Sequence, residues 1–455
     1  MSFVLQQSIK ARASRIGSVK SFPPNEAKIA KAVTEDVQDA TDKAPSTREE
    51  IYLDNISKLD VDRRNTSVYQ IELSLETIAN LLAREFDKTL FIREHADLLA
   101  RLVASGKTPV ELIQASRAVS MLVLLRLERS ADFIASNVLP EFYKAFVDTN
   151  NDSAVRATLM VFHATLLYYL NADNSGFGLE SEIEKYLELL DTESESPVFN
   201  CGILLSVGLL LSATASRNSV IEDTLPMVYE LLSYSDPEVK KAAGMLIAQM
   251  YEQYDFSEQD DEDFYRPDNG FSGFKYEIET VDNFDMIAEL EGLLGATHKT
   301  VAKRAKQDMR LEFRRVLATV ESRLVALDKD REHTKLSDDE ASLAAIAGLK
   351  LGRGKIVPIR TWAQLNLSYA LKLLYGDGVV AQITGGHNII RDSLLAEKDD
   401  SRQYRSVNKA PATDIFETSV GEGTMRGRED PRKSISIKRA REEKERARQF
   451  NEEDY

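Results

Sequence analysis

Apolar positions in the middle of the chain recur at a spacing near 43 residues, and this period constrains the fold more than any other feature. Steps of 43, 43 and 41 residues separate Leu112, Val155, Val198 and Val239. A small side chain lies three residues after each of them, at Ala115, Thr158, Cys201 and Ala242. Periods of about 40–47 residues are typical of HEAT and armadillo arrays, in which each unit contains two or three helices.

A second register has the same period, because Tyr143, Tyr186 and Tyr229 are each 43 residues apart. A single repeat cannot bury its apolar side alone, whereas stacked repeats can. We therefore predict an all-α fold: a HEAT/armadillo-like α-solenoid, followed by a small C-terminal domain and a basic helical tail. A helical bundle with accidental spacing is the alternative.

The three repeated tyrosines have two interpretations. They could stack on nucleic-acid bases, but a period equal to the structural period favours a repeated packing position in the core. Cys201 belongs to the register of small residues, and His163 lies within the apolar run 159–170. We expect both side chains to be buried in the core.

Composition excludes several classes of protein. The 455-residue chain has one cysteine, so it has no internal disulfide framework and no cysteine-rich zinc fold. Its five histidines are too far apart for a local metal site, and no apolar run approaches the roughly 20 residues that span a bilayer. The glycines at 376 and 378 end a predicted helix, so they are not a dinucleotide fingerprint. The prediction is a non-enzymatic protein with no cofactor, no metal, no membrane and no small-molecule substrate.

Charge is distributed unevenly along the chain. The whole chain carries −16, but residues 1–33 carry +5 and residues 426–455 carry +2, which leaves −23 for residues 34–425. This argues against nucleic-acid binding over the whole surface and favours local basic patches. Residues 1–22 are basic and contain no acid. They fit either a disordered arm that touches nucleic acid or a mitochondrial transit peptide.

Composition shifts divide the chain into five predicted segments. These are a basic, disordered arm at 1–44, a helical repeat domain at 45–325 with an acidic loop at 252–282, a linker at 326–350, a small C-terminal domain at 351–395, and a disordered linker with a basic tail helix at 396–455.

The predicted helix at 298–321 has a basic face. Its apolar residues recur at spacings of three and four, as on the packing side of an amphipathic helix. Asp308 and Glu312 are the only acids in the basic part of this helix, so contact with RNA phosphates is favoured over a solvated face with ion pairs. The predicted RNA-binding cations are Lys299, Lys303, Arg304, Lys306, Arg310, Arg314 and Arg315.

The segment 436–451 is a second candidate for RNA contact. Its Ala, Arg, Glu and Lys residues favour helix, but it has almost no apolar face, so it needs a polyanionic partner or remains a marginal solvated helix. The same bases could serve nuclear import. The predicted RNA-binding residues here are Lys438, Arg439, Arg441, Lys444, Arg446 and Arg448.

Two stretches resemble the interferon-related developmental regulator family. The first runs from Ala302-Lys303 through a basic stretch to Phe313-Arg314-Arg315-Val316-Leu317 and Val320-Glu321. The second resembles the family's C-terminal domain, in which a Trp opens a helix and Ala, Lys, Gly-x-Gly and Arg-Asp follow. Its matching positions here are Trp362, Ala370, Lys372, Gly376, Gly378, Arg391 and Asp392. The chain has Tyr-Gly-Asp-Gly where the family usually has Leu-Gly-Ser-Gly, so it is identified as a distant member.

The resemblance implies armadillo-like repeats and a regulatory, non-enzymatic function. One kind of member binds translationally idle ribosomes and inserts C-terminal helical parts into the tRNA and mRNA path. Members have also been assigned transcriptional co-regulation through protein partners. We therefore expect a cytoplasmic, ribosome-associated silencing factor that contacts rRNA and ribosomal proteins. The alternative is a nuclear adaptor whose concave solenoid surface binds co-regulator peptides.

Overall fold

The computed structural model describes residues 47–61, 63–85, 92–171, 176, 178–190, 196–256, 278–295, 303–324, 346–351, 356–385 and 388–395, with backbone alone at 303–306. The predicted N-terminal arm, most of the acidic loop and the predicted tail helix lie outside these residues. All described residues belong to one compact unit, 1–413.

Helices dominate the described chain. They are α1 (Arg48–Leu59), α2 (Val68–Leu82), α3 (Arg93–Ser105), α4 (Pro109–Leu124), α5 (Leu127–Phe133), a π-helical turn (Ile134–Val138), α6 (Leu139–Val147), α7 (Ser153–Asn171), α8 (Leu179–Glu188), α9 (Pro197–Ala213), α10 (Arg217–Glu230), a 3-10 turn (Leu231–Ser233), α11 (Pro237–Gln253), α12 (Asn283–Gly295), α13 (Lys303–Leu324), α14 (Trp362–Tyr375), α15 (Gly378–Thr384) and α16 (Ile389–Leu395).

Local sequence signals set several helix starts. Thr47 with Glu50, and Ser67 with Gln70, form capping boxes before α1 and α2. Asp236 accepts hydrogen bonds from the first N–H groups of α11, and a proline occupies the first helical position. Such a cap contributes about 1 kcal/mol. Asp236 and the proline after it are thus a local sequence signal for the start of this helix.

Apart from the short helix α5, the helices from α1 to α13 form stacked pairs, which confirms the all-α, solenoid-like fold. Each pair packs internally, as α3 does on α4, α8 on α9 and α12 on α13. The second helices of successive pairs also pack on one another in the order α2, α4, α7, α9, α11 and α13. The two sequence registers near 43 residues follow this arrangement, because one falls on first helices of pairs and the other on second helices.

The helix α9 shows why the middle of the array is so apolar. Every residue from Phe199 to Leu211 is buried, because α7, α8, α11 and α14 all pack against this helix. A helix covered on all sides is apolar all round rather than amphipathic. The apolar stretch 203–211 therefore lies in a fully buried helix, and Cys201 of the same helix is buried, as predicted.

The repeated tyrosines do not share one environment. Tyr186 is fully buried, whereas Tyr143 is 37% exposed and Tyr229 is half-buried. The expected packing position in the core is therefore confirmed at Tyr186, whereas Tyr143 and Tyr229, at the equivalent positions of the neighbouring repeats, are only partly buried. The Tyr143 ring still packs edge-on against Phe146, with 5.1 Å between the ring centroids.

A short hairpin precedes the last helices. Strand β1 (Ala347–Lys350) pairs antiparallel with β2 (Ile356–Ile359), and Ala347 lies opposite Ile359. The residues of β1 fall in the predicted linker 326–350, and those of β2 fall in the predicted C-terminal domain 351–395. The four residues of β1 do not alternate between polar and apolar, so their sequence does not indicate a strand. Only the pairing with β2 identifies β1 as a strand.

The helix α14 lies across the array rather than beside it. It begins with a capping box of Thr361 and Gln364, as the predicted start requires, and it ends at Gly376, which has a φ of 58°. It packs on α4, α7, α9 and α11, the second helices of four successive pairs. The domain boundaries drawn from the sequence remain predictions. In the part of the chain that the structure describes, no helix is long and apolar enough to cross a bilayer.

Candidate functional site

The helix α13 presents two distinct faces. Met309, Phe313, Val316 and Val320 are buried against α11 and α12. The ring of Phe313 lies on Gly244, where an added Cβ would approach a ring carbon to 2.8 Å. Glycine at 244 therefore lets α13 pack closely on α11. This apolar face fixes the direction in which the opposite face of α13 points.

The opposite face of α13 carries exposed cations. Arg310 and Arg314 are exposed and four residues apart, so they are neighbours on one helix face. Glu312, which the sequence offers as an ion-pair partner, is buried instead, and its carboxylate lies 3.6 Å from the Lys241 ammonium of α11. Within the described residues neither arginine forms an ion pair.

The other predicted RNA-binding residues divide into three groups. Arg315 is half-buried, and its charge acts on Tyr369 of α14. The pKa of this tyrosine is raised well above its ordinary value, chiefly by burial. Lys303, Arg304 and Lys306 lie in the first turn of α13, and their side chains are outside the described residues. The described residues also exclude Lys299, Lys438, Arg439, Arg441, Lys444, Arg446 and Arg448.

Trp362 joins three helices. Its backbone N–H donates to a carboxylate oxygen of Glu252 over 2.8 Å at the end of α11. Its indole N–H donates to the hydroxyl of Thr319 over 2.9 Å in α13. The side chain is 1% exposed. The two aromatic family-motif residues, Phe313 and Trp362, therefore both pack where α11, α13 and α14 meet.

A buried amide network fixes α14 to α9 and α11. Asn366 donates from its side-chain nitrogen to the Gln249 side-chain oxygen. The Gln249 nitrogen in turn donates to the Gly208 carbonyl over 2.7 Å. A side chain at 208 would collide with Asn366. Sequence reasoning missed this network, although a polar residue inside each of two apolar helices was the available signal.

The glycine-containing part of the motif lies at a cavity between α2, α4 and α14. Lys372, Gly376 and Gly378 line it, and its volume is about 780 Å³. Arg117 of α4 forms one wall, donating from Nε to the Leu374 carbonyl over 2.9 Å. A Cβ at 378 would collide with the Ala83 backbone, so the second glycine lets α15 pack on the end of α2.

Arg391 and Asp392 lie on α16, apart from this cavity. Their helix is held to α7 by a hydrogen bond of 2.8 Å between the Tyr169 and Ser393 hydroxyls. The backbone N–H of Arg391 donates to the Asn388 side chain over 2.8 Å, which caps the helix. The motif residues thus divide among an aromatic junction, a cavity wall and a helix cap.

His163 and Cys201 are core residues, as the sequence predicts. Burial, with a smaller effect of Lys185, lowers the pKa of His163 to about 3, and the ring forms a 2.6 Å hydrogen bond with Tyr186. Burial raises the pKa of the Cys201 thiol to about 12. Among the described residues, no group of three or more His, Cys, Asp or Glu side chains is arranged to hold a metal ion.

The fold and these contacts define a helical-repeat scaffold with a basic helix at one end and a C-terminal helix laid across it. The family model described as Interferon-related developmental regulator (IFRD) matches residues 24–321. The chain therefore belongs to the interferon-related developmental regulator family, a family of regulators. The match ends inside α13, so Trp362 and α14 lie beyond it. No curated protein matches the chain.

Proposed function

We propose that this protein is a non-enzymatic ribosome-binding factor that associates with translationally idle ribosomes and blocks the mRNA and tRNA path. The observation that carries the proposal is the pair of exposed arginines on α13, Arg310 and Arg314, with the nearby acid Glu312 turned inward to Lys241. Cations on an exposed helix face contact phosphates without reading sequence, as an rRNA-binding surface requires.

The charge distribution supports selective binding. The body of the chain is strongly acidic, so RNA is repelled from most of the surface and attracted at the basic face of α13. Repulsion outside the intended contact raises specificity. The tail residues 438–448 would contact rRNA in the same way and occupy space that mRNA or tRNA needs.

The alternative, a nuclear adaptor for transcriptional co-regulators, would bind peptides on the concave surface of the repeats. In the described part of the chain, α14 packs on α4, α7, α9 and α11. A peptide that docked on this same face of the four helices would have to displace α14 together with Trp362 and Asn366. This packing weighs against a peptide site on that face, whereas the exposed arginines of α13 support the ribosome factor.

Sucrose-gradient sedimentation of lysates from growing and starved cells tests the proposal. We expect the protein to migrate with non-translating monosomes in starved cells and to leave them at high salt, because phosphate contacts release counterions. Migration at the top of the gradient in both lysates and at low salt would contradict ribosome binding and favour the adaptor.

A further inference from the structure

The cavity between α2, α4 and α14 has a lining that differs from the rest of this acidic chain. Four cationic side chains line it: Arg48 of α1, Arg84 in the turn just after α2, Arg117 of α4 and Lys372 of α14. Two acids, Glu76 and Asp377, are the only carboxylates in the lining. The formal charge of the lining is therefore positive, whereas residues 34–425 together are strongly negative.

Arg117 is held in a defined orientation at the wall. Its Nε donates to the Leu374 carbonyl and its Nη1 donates to the Gln114 side chain, each over 2.9 Å. A guanidinium has five N–H groups, so three remain without a hydrogen-bond partner among the described residues. A guanidinium whose orientation is fixed loses little entropy when it binds an oxyanion.

The glycine motif keeps space open beside this guanidinium. A Cβ at Gly376 would lie 3.7 Å from Nη2 of Arg117, so any larger side chain would extend over it. Gly376 also has a positive φ, which side-chain-bearing residues rarely adopt. Gly376 and Gly378 therefore line the cavity with backbone atoms alone. Polar groups of Thr77, Asn80 and Gln114 complete the lining.

We propose that this cavity binds a small phosphate-bearing molecule of nucleotide size. Its volume of about 780 Å³ lies within the range of about 300–1,000 Å³ that is usual for small-molecule sites. The arginines suit phosphate oxygens, and the carboxylates of Glu76 and Asp377 suit the hydroxyl groups of a ribose or a polyol. No residue of α13 lines the cavity, so the site is independent of the proposed rRNA contact.

Calorimetric titration of the purified full-length chain at fixed salt tests this site. The probes are ATP and inositol hexakisphosphate, with adenosine and inositol as their unphosphorylated controls. We expect a phosphorylated probe to bind and its control not to bind. Binding of ATP alone identifies a nucleotide site, and binding of inositol hexakisphosphate alone identifies a polyol phosphate site. Absence of binding by both phosphorylated probes would overturn the proposal.

Charge-reversal variants locate the binding. Arg84→Glu and Arg48→Glu change exposed side chains on two different elements, and each should weaken binding about tenfold or more through loss of a charge-assisted hydrogen bond. Arg129→Glu is the matched control, because Arg129 is exposed and does not line the cavity. Equal affinity in all variants, or equal loss in the control, would overturn the assignment. Circular dichroism melting verifies that each variant is folded.

Discussion

The indole N–H of Trp362 donates a hydrogen bond to the hydroxyl of Thr319 over 2.9 Å, although 43 residues separate the two. Thr319 lies inside the part of the chain that matches the family, and Trp362 lies beyond it. The bond therefore fastens the C-terminal helix α14 to the last helix of the repeat array. Together with the bond from the Trp362 backbone to Glu252, it makes α14 part of the packed scaffold.

Replacing Thr319 by valine should lower the free energy of unfolding by about 1–3 kcal/mol, because the buried indole N–H then has no acceptor. Trp362→Phe removes the donor as well, so the double variant should be more stable than the sum of the two single changes predicts. Trp362 is the only tryptophan, so its replacement removes the tryptophan fluorescence signal. Denaturant unfolding of all three variants is therefore followed by circular dichroism. An unchanged unfolding midpoint for Thr319→Val would refute the role of this bond.

Gly376→Ala should destabilise the protein by about 1–3 kcal/mol, because residue 376 has a φ of 58° that strains any residue with a side chain. Gly378→Ala should also destabilise it, since its Cβ would collide with the Ala83 backbone. Thermal unfolding measures both effects.

Gly292→Ala is the matched control for these two substitutions. Gly292 lies in α12 and has open space around it, so alanine there should stabilise the protein by about 0.5–1 kcal/mol. If all three alanine variants behaved alike, the conformational explanation for the motif glycines would be wrong.

His163 should make the protein acid-sensitive. The folded protein keeps this histidine neutral, with a pKa near 3, whereas the unfolded chain takes up a proton as the pH falls below about 6.5. The unfolded state therefore binds more protons between pH 6.5 and 3, and stability is lost as the pH falls through that window.

Lowering the pH from 7.5 to 5 should cost about 2 kcal/mol through His163. His163→Gln removes the titrating group, so the variant should lose less stability over this interval than the unchanged protein. Urea unfolding at both pH values measures the difference. The same pH-dependent loss in the variant would show that the histidine is not the source.

Cys201 should be unreactive toward thiol reagents in the folded protein. Its thiol is 3% exposed, and burial raises its pKa to about 12, so almost no thiolate is present at pH 8. As the only cysteine in the chain, it should react only when α9 becomes exposed. Labelling with Ellman's reagent should therefore rise with the same denaturant midpoint as circular dichroism. Rapid labelling without denaturant would contradict the burial of α9.

The repeat array was predictable because its physical cause is periodic. Stacked helix pairs of similar length return to the same packing position every 43 residues or so, and Asp236 with the following proline signals a helix start directly. Those signals are local or regular, so they survive in a single sequence.

The position of α14 was not predictable in this way. Its apolar residues fit the core of a separate small domain equally well, and the contact between Asn366 and Gln249 joins residues 117 apart. Arg117 likewise carried no signal, because Leu374, whose carbonyl accepts its Nε–H hydrogen bond, is 257 residues away in the chain. Among the proposed RNA-binding residues, the amphipathic pattern placed Arg310 and Arg314 on the exposed face of α13, but it did not separate them from the half-buried Arg315.

Co-sedimentation of the purified chain with salt-washed ribosomes tests ribosome binding by α13 most directly. The variant Arg310→Glu/Arg314→Glu reverses the exposed charges of this helix, and Arg101→Glu/Arg129→Glu reverses two exposed charges elsewhere as the control. We expect the first pair to weaken binding about tenfold or more at physiological salt and to reduce its salt dependence, while the control binds like the unchanged protein. Equal binding by all three proteins would contradict the assignment of α13 as the rRNA-contacting helix.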